Sequence, residues 1–143
     1  MRNYIAKLKI SLDHKNLKVG TLGEIYFAKW FNANYQGESI FKQMADRDFQ
    51  GIDFACQKGF TYQIKATDKK SFTFNSTIAD APNKLSATHY VFIQRHDDYL
   101  FIQGIYKKDQ ILTSLVPSKM NKKQSFCHAI DLLQYFVNIE EIV

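Results

Sequence analysis

Two apolar runs, at residues 52–56 and 60–64, are separated only by Gln57-Lys58-Gly59. A three-residue hairpin loop ending in glycine suits a type I turn followed by one left-handed residue. Centred on Lys58, such a turn predicts one register, with Cys56 opposite Phe60 and Asp53 opposite Gln63. Strand side chains alternate between faces. Ile52, Phe54, Cys56, Phe60, Tyr62 and Ile64 then share a face expected to be buried against helices, and Asp53, Thr61, Gln63, Lys65 and Thr67 share the other. Directly opposed Cβ atoms lie about 4.5–5.5 Å apart, within reach of one ion from an Asp and a Gln oxygen. Antiparallel hairpins often carry a wet face that does nothing chemical. Two features speak for more than that. Aspartate is disfavoured in a strand, and this one lines up with an amide and an amine.

Around the hairpin, residues 21–35 (TLGEIYFAKWFNANY) read as a helix, with Glu24, Phe27, Ala28, Phe31 and Tyr35 on one stripe. A short strand is predicted at 39–43, then a polar loop, MADRDFQG. HYVFIQR and YLFIQGIY are two further strands about the turn HDD, KKDQIL is one or two helical turns, and SFCHAIDLLQYFV has helical spacing at Phe126, Ala129, Ile130, Leu133 and Val137. Residues 1–18 are a lysine-dotted strand or arm. The expectation is an α/β (α+β) single domain over residues 1–143, with a mixed central sheet flanked by helices.

Length supports that expectation, because 143 residues can bury a core without staples. Aromatic residues are 15% of the chain and are read mainly as core. The two cysteines suggest no disulfide framework, Cys56 reads as a small core residue, and no apolar run is long enough to span a bilayer. The charged N-terminus lacks a signal-peptide core, so an intracellular, cytoplasmic setting is expected. The net charge of +5 points to a polyanion partner only if a site accompanies it.

The Asp53, Gln63, Lys65 constellation fits phosphodiester hydrolysis. That chemistry needs a clamped phosphate, an activated water and positive charge against the developing oxyanion. Mg²⁺ takes oxygen ligands and keeps several waters. Asp53 would supply a charged oxygen, Gln63 a neutral amide oxygen, and the Ile64 carbonyl a third. Lys65 would orient or help deprotonate water and stabilise the transition state. Gln63 keeps an oxygen but lacks a charge, so a further carboxylate is needed, and Glu24 is the candidate. A rival role for Glu24 is a capping box over Thr21-Leu22-Gly23-Glu24. Both readings stay open from sequence.

These pieces resemble the PD-(D/E)xK nuclease superfamily: GEIYFAKWF with its acid on the first helix, then GID, then QIK on the next strand. The order Glu24, Asp53, Gln63, Lys65 is similar to the Holliday-junction-resolvase-like branch. The Gln-for-acid variant resembles certain restriction and homing endonucleases. The likeness covers residues 20–67, and HYVFIQR extends it. The residue before Asp53 is Ile52 and not the proline of the motif, a proline that many members also lack. The resemblance implies a restriction-endonuclease-like fold, Mg²⁺-dependent DNA cleavage with Glu24, Asp53 and Gln63 around the metal and Lys65 beside the water, and a homodimer; Mn²⁺ is the alternative ion, and the Ile64 carbonyl of the residue-based reading completes the ligand set. If the loss of an acid at Gln63 is uncompensated, a DNA-binding module that does not cut is the alternative.

Thr67, Lys69 and Lys70 leave the site strand directly and are the expected phosphate contacts. Asp46 and Asp48 read as loop acids, Asp48 also offering a second-metal position. Phe72 and Phe74 suit packing over base stacking. His14, His89, His96 and His128 show no paired metal spacing.

Overall fold

The computed structural model describes residues 4–39, 52–128 and 132. Its elements in chain order are β1 (Ala6–Lys9), α1 (Val19–Asn34), β2 (Gly37–Ser39), β3 (Phe54–Cys56), β4 (Thr61–Thr67), β5 (Ser71–Phe74), α2 (Ala81–Lys84), β6 (His89–His96), β7 (Tyr99–Lys107), α3 (Lys108–Ser114), β8 (Val116–Pro117) and β9 (Ser125–His128), with a 3₁₀ turn at Leu12–His14. Among the described residues the fold is mixed α+β. Six strands form one mixed sheet in the order β1-β7-β6-β4-β3-β2, and β5-β9-β8 form a smaller antiparallel sheet.

The hairpin turn forms as its glycine demands. Gly59 has φ of +88°, in the left-handed region, and Phe54 pairs with Tyr62 and Ala55 with Thr61. β4 then runs parallel to β6, with Ile64 beside Val91. A parallel pair needs a crossover, and the chain supplies it through β5 and α2.

That crossover gives the sheet two covered faces. Phe27 and Phe31 of α1 pack with Phe54, Tyr62, Ile64, Val91 and Ile93 on one face. On the other, Phe72, Phe74, Ala81, Ile111 and Cys127 pack with Tyr90, Phe92 and Tyr106. Successive β6 residues therefore enter alternate cores, which is why HYVFI is a continuous apolar run. Cys56 is half-buried against the first core, as a small packing residue.

Several expectations are corrected. The helix begins at Val19 with Lys18 as N-cap, so Thr21 lies inside it and Glu24 cannot close a capping box. Residues 125–128 of the anticipated C-terminal helix form β9, because Ser71, Phe72, Thr73 and Phe74 offer β5 as a partner strand. β5 itself was masked in sequence by its polar surroundings, and it buries Phe72 and Phe74 as core. Ile52 packs with the second core and not with the face of Phe54. The strand expected at 39–43 is seen only through Ser39; the rest of it, with Asp46, Asp48 and the tail positions 129–130, 133 and 137, lies outside the described residues.

Candidate active site

Glu24 reaches the end of β3 because α1 lies close on β4. A Cβ placed on Gly23 would sit 2.6 Å from the Cβ of Ala66, so only glycine fits this crossing without displacement. Leu22 and Phe27 are fully buried on either side, and Glu24 is half-buried at the margin of that contact.

Asp53 stands where β3 stops. Its N–H donates to the Tyr62 carbonyl at 2.8 Å, although Tyr62 is already the partner of Phe54. Two residues opposing one is a bulge, which re-aims side chains at a strand end. The expected direct pairing of Asp53 with Gln63 is thereby replaced, and the same irregularity accounts for the reversed side of Ile52. The Asp53 carboxylate Oδ2 accepts the Ile64 N–H at 2.9 Å. It takes the place of a backbone acceptor in the ladder, which explains an acid in this disfavoured setting. N–H and C=O of one strand residue point to the same edge, so the Ile64 carbonyl faces this end of β3 too.

Asp53 thus lies near the plane of the sheet, open to groups from both faces. From the α1 face, the Glu24 side chain hydrogen-bonds to it. From the other, Lys65 interacts with its charge. Lys65 Nζ donates to the Thr73 carbonyl at 3.4 Å and stands 4.8 Å from the centre of the Phe74 ring. Gln63 is on the Lys65 side, and both line a recess of about 240 Å³ between β4, β5 and α2. The structure therefore brings Glu24, Asp53 and Lys65 to one sheet end, with Gln63 offset along β4.

The electrostatics follow from burial. Desolvation, then the Asp53 charge and their shared hydrogen bond, push Glu24 up to about 7. Burial raises Asp53 as well, but the Ile64 N–H, Lys65 and the bond from Glu24 all oppose that rise. The same hydrogen bond favours the proton on Glu24 and the charge on Asp53. Burial lowers Lys65, with Asp53 pulling in the opposite sense.

The donor set fits a hard cation. Two adjacent carboxyl groups can share a divalent ion, with the Ile64 carbonyl facing this end of β3 and Gln63, offset along β4, as neutral oxygens that would complete the set. Among the described residues no three His, Cys, Asp or Glu side chains cluster as a metal site, so a cation held here would need amide or carbonyl oxygens as well.

Of the expected phosphate contacts, the Thr67 hydroxyl accepts the Lys69 N–H at 3.1 Å, and Lys69 and Lys70 are exposed just beyond β4. The histidines have packing partners: His14 with Tyr26, His89 with Phe60 and Tyr62, His96 with Phe101, and His128 with Ser71. Burial, with Lys107 nearby, lowers His89 to about 4. Sequence reasoning missed Asn75, Ser76 and Lys84, which line the recess beside Lys65. No local pattern marks them, because only the crossover carries them to β4. Compared with models of known families and with curated proteins, the sequence matches none. Among the described residues no helix is long and apolar enough to cross a membrane.

Proposed function

We propose that this chain is a metal-dependent DNA endonuclease of the PD-(D/E)xK type, on a restriction-endonuclease-like fold. The observation that carries the reading is the hydrogen-bonded Glu24–Asp53 pair at the end of β3, with the partly buried Lys65 beside it. Glu24, Asp53, Gln63 and the Ile64 carbonyl would hold Mg²⁺ or Mn²⁺. Bound there, the cation supplies positive charge to a phosphate and acidifies water. Asp53, anchored by the Ile64 N–H, keeps its oxygens at a set distance from β4. Lys65 places its ammonium toward the same phosphate, where developing negative charge is stabilised. The net charge of +5, with exposed Lys69 and Lys70, suits a DNA backbone. A homodimer, which would present two such sites to two strands, and an intracellular setting belong to the same reading.

One observation favours a second reading, a DNA-binding module that does not cut. Asp53 already has a backbone job in accepting the Ile64 N–H, and Gln63 brings no charge. Plasmid, cruciform and single-stranded DNA incubated with Mg²⁺, Mn²⁺ or EDTA separate the two. Asp53→Asn keeps the acceptor for Ile64 but removes the charge. The nuclease reading expects metal-dependent cleavage that falls at least about a hundredfold in Asp53→Asn and in Lys65→Ala. Salt-sensitive DNA binding with no cleavage under any metal supports the second reading. Sedimentation of the protein with and without DNA tests the dimer.

A further inference from the structure

The recess beside Lys65 is built from donors. Lys65 enters it from β4 and Lys84 from the end of α2, and Gln63, Asn75 and Ser76 complete the polar wall. Phe74 and Leu85, both buried, form its apolar part. Among the described residues no carboxylate lines it, and the nearby Asp80 is tied to the Thr77 hydroxyl. The Asn75 carbonyl oxygen accepts from Gln124 Nε2 at 2.8 Å, which leaves its amide N–H groups for another acceptor. Ser76 adds an independent sign. Its side chain is 5% exposed, and its hydroxyl has no hydrogen-bond partner among the described residues. Buried polar groups are nearly always satisfied, and an exception calls for a ligand or a cost. Two cations and two amides around an unsatisfied hydroxyl select an anion with several acceptor oxygens.

We propose that this recess is a second phosphate site, which takes the backbone phosphate of a nucleic-acid strand next to the one held at Glu24 and Asp53. The assignment rests on the nuclease reading for its choice of phosphate. It adds Lys84, Ser76 and Asn75 as substrate-positioning residues. Lys65 stands between the two phosphates and sets the strand's direction across β4. The sites are adjacent because the β4–β6 crossover folds β5 and α2 over the strand that carries Lys65.

The test is equilibrium binding in EDTA, by fluorescence anisotropy, of dye-labelled single-stranded and duplex oligonucleotides. In each, one phosphate at a time is replaced by an uncharged methylphosphonate. Wild type is expected to lose affinity at one interior position beyond the scissile phosphate. Lys84→Ala, an exposed change, is expected to bind about threefold to tenfold more weakly, to lower the salt slope on single strands by about 0.7, and to become indifferent to methylphosphonate at that position. Ser76→Ala is expected to bind about tenfold more weakly while its Tm stays level or rises, because it removes a buried hydroxyl that no described residue satisfies. A merely structural serine would not separate the two readouts. Wild-type affinity in both variants, or a uniform loss in Lys84→Ala with no position-specific change, overturns the site. Metal-dependent cleavage by wild type would then leave the nuclease reading standing. Position-specific loss without cleavage under any metal would do the reverse.

Discussion

Glu24 is the residue whose chemistry is most open to measurement. Its folded pKa is about 7 against an ordinary value of 4.5, so between those limits the folded state binds more protons than the unfolded chain. Stability of the metal-free protein is therefore full below about pH 4.5 and declines as pH rises to about 7. Asp53, raised in the same direction, adds to that decline. Urea denaturation between pH 4 and 8 is expected to show the slope and to lose most of it in Glu24→Gln; an unchanged slope would place the proton elsewhere. A cation must displace the same proton, so Mg²⁺ or Mn²⁺ binding below pH 7 should release it, seen by calorimetry in buffers of different ionisation enthalpy. Gln63 offers a second residue-scale test. Adding a charge in Gln63→Glu should tighten Mg²⁺ binding about tenfold, and unchanged affinity would remove Gln63 from the ligand set. The aspartate at 53 was visible in sequence as an anomaly on a strand. Its partner was not, because the bulge that turns it from Gln63 toward Glu24 is a backbone event with no residue signature.

At the scale of elements, the crossing of α1 on β4 decides whether Glu24 and Asp53 meet. Gly23→Ala has opposite effects. Removing a helix glycine favours the helix by about 1 kcal/mol, while the new Cβ, 2.6 Å from Ala66, must push α1 away. Overpacking of this kind costs about 1–3 kcal/mol, so the variant is expected to be less stable on balance. It should also lose metal affinity as Glu24 lifts from Asp53. Ala66→Gly in the same chain should restore both, measured by thermal melts and Mg²⁺ titration; failure to restore them would show that Gly23 matters for another reason. The hairpin and α1 were legible because turn chemistry and helical spacing are local. β5 and β9 were not, since each is a strand by virtue of the other: Phe72 opposes Cys127 across a gap of more than fifty residues.

For the molecule as a whole, β6 is shared by both cores, with Val91 and Ile93 in one and Tyr90 and Phe92 in the other. Neither core can come apart without exposing one face of β6, so its amides are expected to be the slowest to exchange in native-state hydrogen exchange. Faster exchange in β6 than in α1 would mean that the faces open independently. The sequence by itself determined the tight hairpin, its register as far as Phe54, the amphipathic α1, β6 as a strand and the presence of an acid, an amide and an amine on one short stretch. These depend on neighbours a few residues apart, where turn geometry and periodicity act. Only the tertiary structure decided which acid Asp53 joins and what surrounds Lys65. A parallel strand requires a long return path, and where that path lays Ser76 and Lys84 depends on packing against a sheet that no local window contains.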